Sequence, residues 1–220
     1  MTPIRRQLHS VDPYEGFAFK PDEVDTHGWA SGHPIFRQVI LQMKPHVVVE
    51  VGTWKGASAI TMAKALKEAG GDSELVCVDT WLGAPEFWVD KTDEKRHLSL
   101  KLKNGFPQVY YTFLNNVISE GLQDVITPFP ATSFVAQRWF MQNNFTADLV
   151  YVDAAHEYPE VIADISGWLK VLRPGGVMIG DDYTTDWPGV VRAVEEMFDS
   201  NPGFRKFGIF NEKWVAQKVA

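Results

Sequence analysis

The sequence has only one cysteine, Cys77, among its 220 residues. An internal disulfide is therefore excluded, and a reducing compartment is favoured. The sequence also lacks an apolar run of about 18 residues, the minimum for a membrane-spanning helix. No apolar segment follows the charged first residues, as a signal peptide would require. These absences predict a cytoplasmic protein with no membrane partner.

Positive charge is also scarce, since 21 Lys and Arg residues stand against 28 Asp and Glu residues, for a formal net charge of −7. The basic residues form no block along the chain. Proteins that bind the phosphate backbone of nucleic acids need a basic surface. We therefore expect no nucleic-acid partner.

A strand, a glycine loop and a helix form the segment on which the interpretation depends. Residues 47–51 are an almost unbroken apolar run, which is typical of a strand buried on both faces of a parallel sheet. Gly52 and Gly56 then permit a sharp turn and a close approach to a ligand. Apolar residues recur at helical spacing from Ala59 to Ala69. Open α/β sheets bind nucleotides at such a succession of elements.

The rest of the chain predicts one domain of the same class, because further apolar runs alternate with amphipathic helices and a hairpin follows them. The runs lie at 74–78, 125–128, 149–152 and 177–180, and the hairpin at 207–217. We expect a doubly wound, mostly parallel seven-stranded α/β sheet over residues 33–220, with antiparallel strands at one edge. Residues 1–32 are predicted to be an irregular arm, either frayed or a lid. Residues 80–106 either shape a substrate pocket or form a surface excursion.

The glycine loop differs from those that bind phosphates. A dinucleotide loop needs G-x-G-x-x-G, but here bulky Trp54 stands between Gly52 and Gly56, and no Gly-Lys-Ser/Thr follows as in a P-loop. Glu50 would repel a phosphate but can accept hydrogen bonds from an ammonium group. Asp79, at the end of the next strand, is positioned to bind ribose hydroxyls. The ligand should be a phosphate-free nucleoside with a cationic end, and S-adenosylmethionine has these features.

The run from Glu50 to Gly56 resembles the first motif of the class I S-adenosylmethionine-dependent methyltransferases, whose Rossmann-like fold has strand order 3-2-1-4-5-7-6. Residues 151–158, 172–176 and 180–183 narrow the resemblance to the metal-dependent small-molecule O-methyltransferases. That group includes sugar O-methyltransferases of macrolide and aminocoumarin biosynthesis, and enzymes named cephalosporin hydroxylases share its pattern. The resemblance implies cofactor contacts from Glu50, Gly52, Thr53, Trp54, Gly56, Ser58, Asp79, Thr80, Trp81, Thr132, Ser133 and Asp153.

Three carboxylates follow two neighbouring strands of the predicted sheet. Asp153 ends the fourth strand, and Asp181 and Asp182 end the fifth. Because carboxyl ends of parallel strands converge on one crevice, these groups repel each other unless they are protonated or bridged by a cation. Oxygen ligands favour Mg²⁺, so we predict a metal site at Asp153, Asp181 and Asp182. The alternative is that the acids cap helices or pair with Arg173 or Arg192.

A group must also accept the proton of the methylated hydroxyl. His156 is suited to this because its unperturbed pKa lies near neutrality, and Asp153 is the second catalytic candidate. Some family members have an Asp where this chain has Ala155, which moves the role of base towards His156. The resemblance thus implies a magnesium-assisted O-methyltransferase acting on a hydroxyl of a small molecule such as a sugar, polyol or catechol.

Two alternatives remain open at this point. One is an accessory protein of the same fold that binds the cofactor without transferring its methyl group. The other is a homodimer, with which an irregular arm bearing aromatic residues is compatible.

Overall fold

The computed structural model describes residues 1–199 and 201–219 and contains one seven-stranded sheet. The strands are Val47–Val51 (β1), Glu74–Asp79 (β2), Ile126–Pro130 (β3), Ala147–Val152 (β4), Leu172–Gly180 (β5), Phe204–Phe210 (β6) and Lys213–Lys218 (β7). Their order is β3-β2-β1-β4-β5-β7-β6. The pairs among β1 to β5 are parallel, whereas β7 is antiparallel to both β5 and β6. The predicted fold class and strand order are therefore confirmed.

Helices cover both faces of this sheet. They are Pro3–Leu8 (α1), Pro34–Met43 (α2), Ala57–Ala69 (α3), Val109–Ser119 (α4), Ser133–Gln142 (α5), Tyr158–Val171 (α6) and Pro188–Phe198 (α7). Val48 of β1 packs in the core formed with α2, α3 and α4. Its neighbour Val49 packs in the opposite core, with α1, α5, α6 and α7. This alternation explains why β1 reads as a continuous apolar run, since both of its faces are buried.

The expectation that residues 1–32 contain no helix was wrong. Pro3 occupies the first turn of α1, where its missing N–H leaves no bond unmade. The next two N–H groups, of Ile4 and Arg5, donate to the carboxylate of Glu74 at 3.0 Å each. A carboxylate at this end favours the helix through both hydrogen bonds and the helix dipole. The capping group comes from β2, so no local pattern indicated it.

No helix in the described ranges is both long enough and apolar enough to cross a membrane.

Candidate active site

The carboxyl ends of β1, β2, β4 and β5 open into a cleft of about 440 Å³, a volume typical of small-molecule sites. Most of the predicted site residues lie in its wall. They are Gly52, Thr53, Trp54, Ser58, Asp79, Thr80, Thr132, Ser133, Asp153, His156, Asp181 and Asp182. The topology therefore brings the predicted cofactor loop and the predicted carboxylates together.

The glycine loop is held between β2 and β4. The N–H of Gly52 donates to the carbonyl of Val78 at 2.9 Å, and the N–H of Asp153 donates to the carbonyl of Val51 at 2.8 Å. Gly52 has φ +86°, and a Cβ atom there would lie 1.9 Å from the backbone oxygen of Asp153. Only glycine fits at this point, because the turn needs a left-handed residue and the facing backbone leaves no room.

Asp79 fixes the far side of the same loop. Its Oδ2 accepts from the N–H groups of Thr53 and Trp54 at 2.9 and 2.8 Å, and its Oδ1 accepts from that of Trp81 at 2.7 Å. Burial raises the pKa of Asp79 despite these bonds. Backbone N–H groups therefore take up most of the roughly four lone-pair sites that a carboxylate offers. Asp79 therefore shapes the loop as well as facing the cleft.

Three predicted cofactor contacts lie outside the cleft wall. Glu50 is fully buried in the centre of the sheet and accepts a hydrogen bond from Ser58 at 2.5 Å. Burial raises its pKa to about 8, although the bond from Ser58 acts in the opposite direction. The charged form of Glu50 is therefore disfavoured, and its side chain supports the glycine loop from inside the sheet instead of facing the cleft.

Gly56 and Trp81 are the other two. A Cβ atom at Gly56 would come within 2.8 Å of the Phe113 ring, so this glycine permits packing against α4. Trp81 is buried, and its ring also contacts Phe113, with centroids 5.0 Å apart. Its indole N–H donates to the carbonyl of Trp54 at 2.7 Å. Both residues support the glycine loop from the side of the core.

Asp153 lies at the junction between the glycine loop and the later carboxylates. Its Oδ2 is 2.8 Å from the hydroxyl of Tyr151, which is also 3.0 Å from Oδ2 of Asp181. Burial and the neighbouring charges of Asp181 and Asp182 raise the pKa of Asp153 to about 7. The charged form of Asp153 is therefore less favoured than that of an exposed Asp.

His156 forms a dyad with Asp182 beyond the ends of β4 and β5. Its Nε2 is 3.0 Å from Oδ2 of Asp182, and its ring stacks on Trp187 with centroids 4.0 Å apart. A carboxylate can only accept, so Nε2 carries the hydrogen and the neutral ring has its lone pair on Nδ1. Nδ1 is 3.9 Å from Oε1 of Glu86 in the cleft wall. The arrangement can orient a general base.

The predicted magnesium site is not assembled. In the described parts of the chain, no group of three or more His, Cys, Asp or Glu side chains is arranged to hold a metal ion. The ammonium of Lys213 forms a short hydrogen bond with Oδ2 of Asp181, and Asp182 bonds to His156. Magnesium needs oxygen ligands free to surround it in an octahedron, so these residues do not fit the metal.

The two arginines offered as alternative partners of the carboxylates lie elsewhere. Arg173 pairs with Asp148 at the opposite end of β4. The guanidinium of Arg192 lies 3.9 Å from the centre of the Tyr158 ring.

The arm and the segment 80–106 complete the cleft wall with residues that the sequence reasoning missed. They are Gly28, Trp29, Ala30 and Ser31 from the arm and Gly83, Ala84, Glu86, Phe87 and Arg96 from the segment. Trp29 lies near Trp54 and Phe87, with ring centroids 6.5 and 6.1 Å apart, and the Arg96 guanidinium is 5.7 Å from the Trp29 ring. Aromatic richness was the only sequence signal, and it does not separate a cleft wall from a core.

A partly buried ion pair anchors the arm. Nζ of Lys55, whose side chain is 1% exposed, donates to Oδ2 of Asp25 at 2.6 Å. Asn116 of α4 donates to the carbonyls of both Asp25 and Lys55. Burial opposes ionisation of Asp25, but the hydrogen bond and charge of Lys55 outweigh it and lower its pKa. The pair therefore stabilises the fold above the ordinary pKa of an Asp and loses that effect as the pH falls through the lowered value.

We expect Lys55→Met to loosen the arm. The variant leaves Asp25 with only the more distant ammonium of Lys101, 3.8 Å away. The loss should be about 1–3 kcal/mol, because Asp25 regains only part of its hydration. Thermal unfolding and limited proteolysis within residues 9–32 measure the effect. Lys64→Met is the matched control, since its pair with Glu120 is exposed and should contribute less than about 1 kcal/mol. Equal losses in the two variants would contradict the anchoring role.

Comparison with known proteins places this site in a family. Residues 49–183 match the family described as "Methyltransferase domain". An uncharacterized protein, y4gI, of Sinorhizobium fredii is 24% identical over 164 residues, which are 74% of this chain. The match spans 16% of that relative's length.

Solved structures share the fold. An O-methyltransferase from Bacillus cereus, solved with SAH, has a TM-score of 0.63 and 13% identity, covering 98% of this chain and 99% of that one. The O-methyltransferase TomG from Streptomyces achromogenes, solved with SAM, has a TM-score of 0.62 and 15% identity, covering both chains fully. The calicheamicin methyltransferase CalS11 has a TM-score of 0.59 and 18% identity, and the match covers 83% of this chain and 76% of that one. The matched domain and the shared fold show that this chain belongs to the class I S-adenosylmethionine-dependent methyltransferases.

Proposed function

We propose that the protein transfers the methyl group of S-adenosylmethionine to a hydroxyl oxygen of a small molecule. The observation that carries this proposal is the His156–Asp182 dyad, which lines the same cleft as the glycine loop. The loop and Asp79 would hold the nucleoside, and Asp153 lies between this loop and the His156–Asp182 dyad. The cleft therefore combines a place for the donor with a base for the acceptor.

The reaction requires one bond exchange and one proton transfer. The acceptor oxygen attacks the sulfonium methyl carbon as the carbon–sulfur bond breaks, which leaves a neutral thioether. The hydroxyl proton passes to Nδ1 of His156, because Nε2 is engaged with Asp182. Holding the two reactants in one cleft supplies the orientation that the displacement needs.

The acceptor is proposed to be a sugar, a polyol or a catechol-like compound, following the resemblance in the sequence. Magnesium assistance, which the resemblance also implied, is not part of this proposal, because Lys213 and His156 already bond to Asp181 and Asp182.

Labelled methyl transfer tests the function directly. We expect label from S-adenosylmethionine carrying a radioactive methyl group to appear on at least one member of a panel of sugars, polyols and catechols. Binding of the unlabelled cofactor is measured separately by calorimetry. Cofactor binding with no transfer to any acceptor class would favour the accessory protein instead, and absence of cofactor binding would contradict both.

A further inference from the structure

The turn between β6 and β7 brings a lysine to the carboxyl end of β5. Gly180 pairs with Trp214 across the antiparallel strands, so Lys213 lies beside Asp181. The turn residues Asn211 and Glu212 have positive φ angles of 44° and 70°. The N–H of Tyr183 donates to the carbonyl of Glu212 at 2.8 Å. Backbone pairing therefore fixes the position of the Lys213 backbone beside Asp181.

The ammonium of Lys213 is enclosed. The residue is fully buried, and its Nζ contacts Oδ2 of Asp181 and the hydroxyl of Tyr151, the latter at 3.0 Å. The rings of Phe36 and Tyr151 have their centres 5.2 and 5.1 Å from Nζ. Aromatic faces favour a cation, and a buried ammonium needs a carboxylate partner. The surroundings of Nζ therefore suit a cation.

Lys213 acts on the cleft through its neighbours. The Tyr151 hydroxyl accepts from Nζ and has a single hydrogen, which it can share between Asp181 and Asp153. Oδ1 of Asp181 accepts from the N–H of Asp182 at 2.9 Å. Both oxygens of Asp181 are thus engaged within the protein, and one chain of contacts links Lys213 to Asp153.

We propose that Lys213 is a positioning residue that supplies the positive charge assigned by the family resemblance to a divalent metal, so that methyl transfer is independent of metal. The proposal rests on the proposed function for the reaction itself. A dication approaching Asp181 would meet a fixed ammonium and find both carboxylate oxygens engaged. Without a metal to chelate, the acceptor needs one reactive hydroxyl rather than a pair of oxygens.

The first test measures metal binding without any acceptor. Electron paramagnetic resonance should detect no bound Mn²⁺ when the purified protein is mixed with millimolar Mn²⁺. The Lys213→Met variant keeps the chain length but removes the charge, and we expect it to bind Mn²⁺ near Asp153 and Asp181. Lys213→Arg keeps the charge and should exclude Mn²⁺ as the wild type does. Stoichiometric Mn²⁺ binding by the wild type, lost in Asp181→Asn, would overturn the proposal.

The second test uses activity once an acceptor is known. Treatment with EDTA should change the wild-type rate by less than about twofold, whereas a metal-assisted reaction would lose several orders of magnitude. Lys213→Met should lose about 100-fold in kcat, in line with the removal of one preorganised charge from an active site. Loss of wild-type activity in EDTA with recovery in Mg²⁺ would refute metal independence. Because the Mn²⁺ measurement needs no acceptor, its outcome stays distinct from a failure of the proposed function.

Discussion

Replacing Gly52 by alanine is expected to abolish cofactor binding. The added Cβ would lie 1.9 Å from the carbonyl oxygen of Asp153 and 2.8 Å from Cα of Ala154, which are backbone atoms that no rotamer change can move. The loop would have to separate from β4. Forcing an L-residue into the left-handed region costs about 1–2 kcal/mol, and overpacking adds about 1–3 kcal/mol. The expected sum of about 2–5 kcal/mol lowers Tm by roughly 4–20 °C in a protein of this size.

Calorimetry with S-adenosylmethionine and a thermal unfolding scan measure the two effects of Gly52→Ala. Gly121→Ala is the matched control, because Gly121 has φ +64° but no atom lies within 4 Å of its added Cβ. In that control the free energy of unfolding should fall only by the cost of the left-handed backbone, about 1–2 kcal/mol, and the cofactor affinity should not change. If Gly52→Ala bound the cofactor as tightly as the wild type, the loop would not be the donor site.

The second large effect is expected from His156→Gln, which removes the group proposed to accept the hydroxyl proton. Loss of general-base catalysis typically lowers kcat by about 10²–10⁴-fold. Cofactor affinity should stay within about twofold of the wild type, because His156 lies on the acceptor side. His46→Gln is the matched control, since His46 is exposed at the opposite end of β1 and should leave kcat unchanged.

The pH dependence of kcat gives an independent check on His156. Burial lowers its pKa, but the hydrogen bond and charge of Asp182, together with the charges of Asp153 and Glu86, raise the pKa above the ordinary 6.5. The base must be neutral, so the rate should rise as the pH increases through that raised value. In Asp182→Asn the rising limb should move to lower pH, while the plateau falls because the ring loses its orienting partner. A limb at the same pH in both proteins would mean that another group is titrating.

The fold was largely predictable because its signals are local. The Val-rich run of β1, the glycines after it and the amphipathic spacing of α3 and α6 each lie within about 15 residues, the range in which periodicity is informative. Alternation of strands with helices then leaves few topologies. The clustering of Asp153 with Asp181 and Asp182 followed from the same topology.

The features that the sequence did not predict depend on contacts between residues far apart in the chain. Helix α1 is too short to be stable by propensity, and it exists because Glu74 of β2 caps it. The role of Lys213 depends on how β7 is aligned with β5, which no local pattern specifies. Glu50 was assigned to the cofactor because it belongs to the motif that precedes the glycine loop, but it lies within β1 and its side chain is fully buried. Side-chain direction at a loop junction is set by packing, which is known only from the structure.

The place of Lys213 in the sheet has a consequence for synthesis of the protein. The residues proposed to contact the methyl donor all precede residue 154, whereas Lys213 lies at the start of β7. At ordinary rates of translation the ribosome takes about 3–12 s to pass from one to the other. Once Asp181 has been made, the carboxylates at the ends of β4 and β5 lack their cation until Lys213 follows. The donor half of the cleft is therefore made first, and the acceptor half reaches its charge balance only when the hairpin closes.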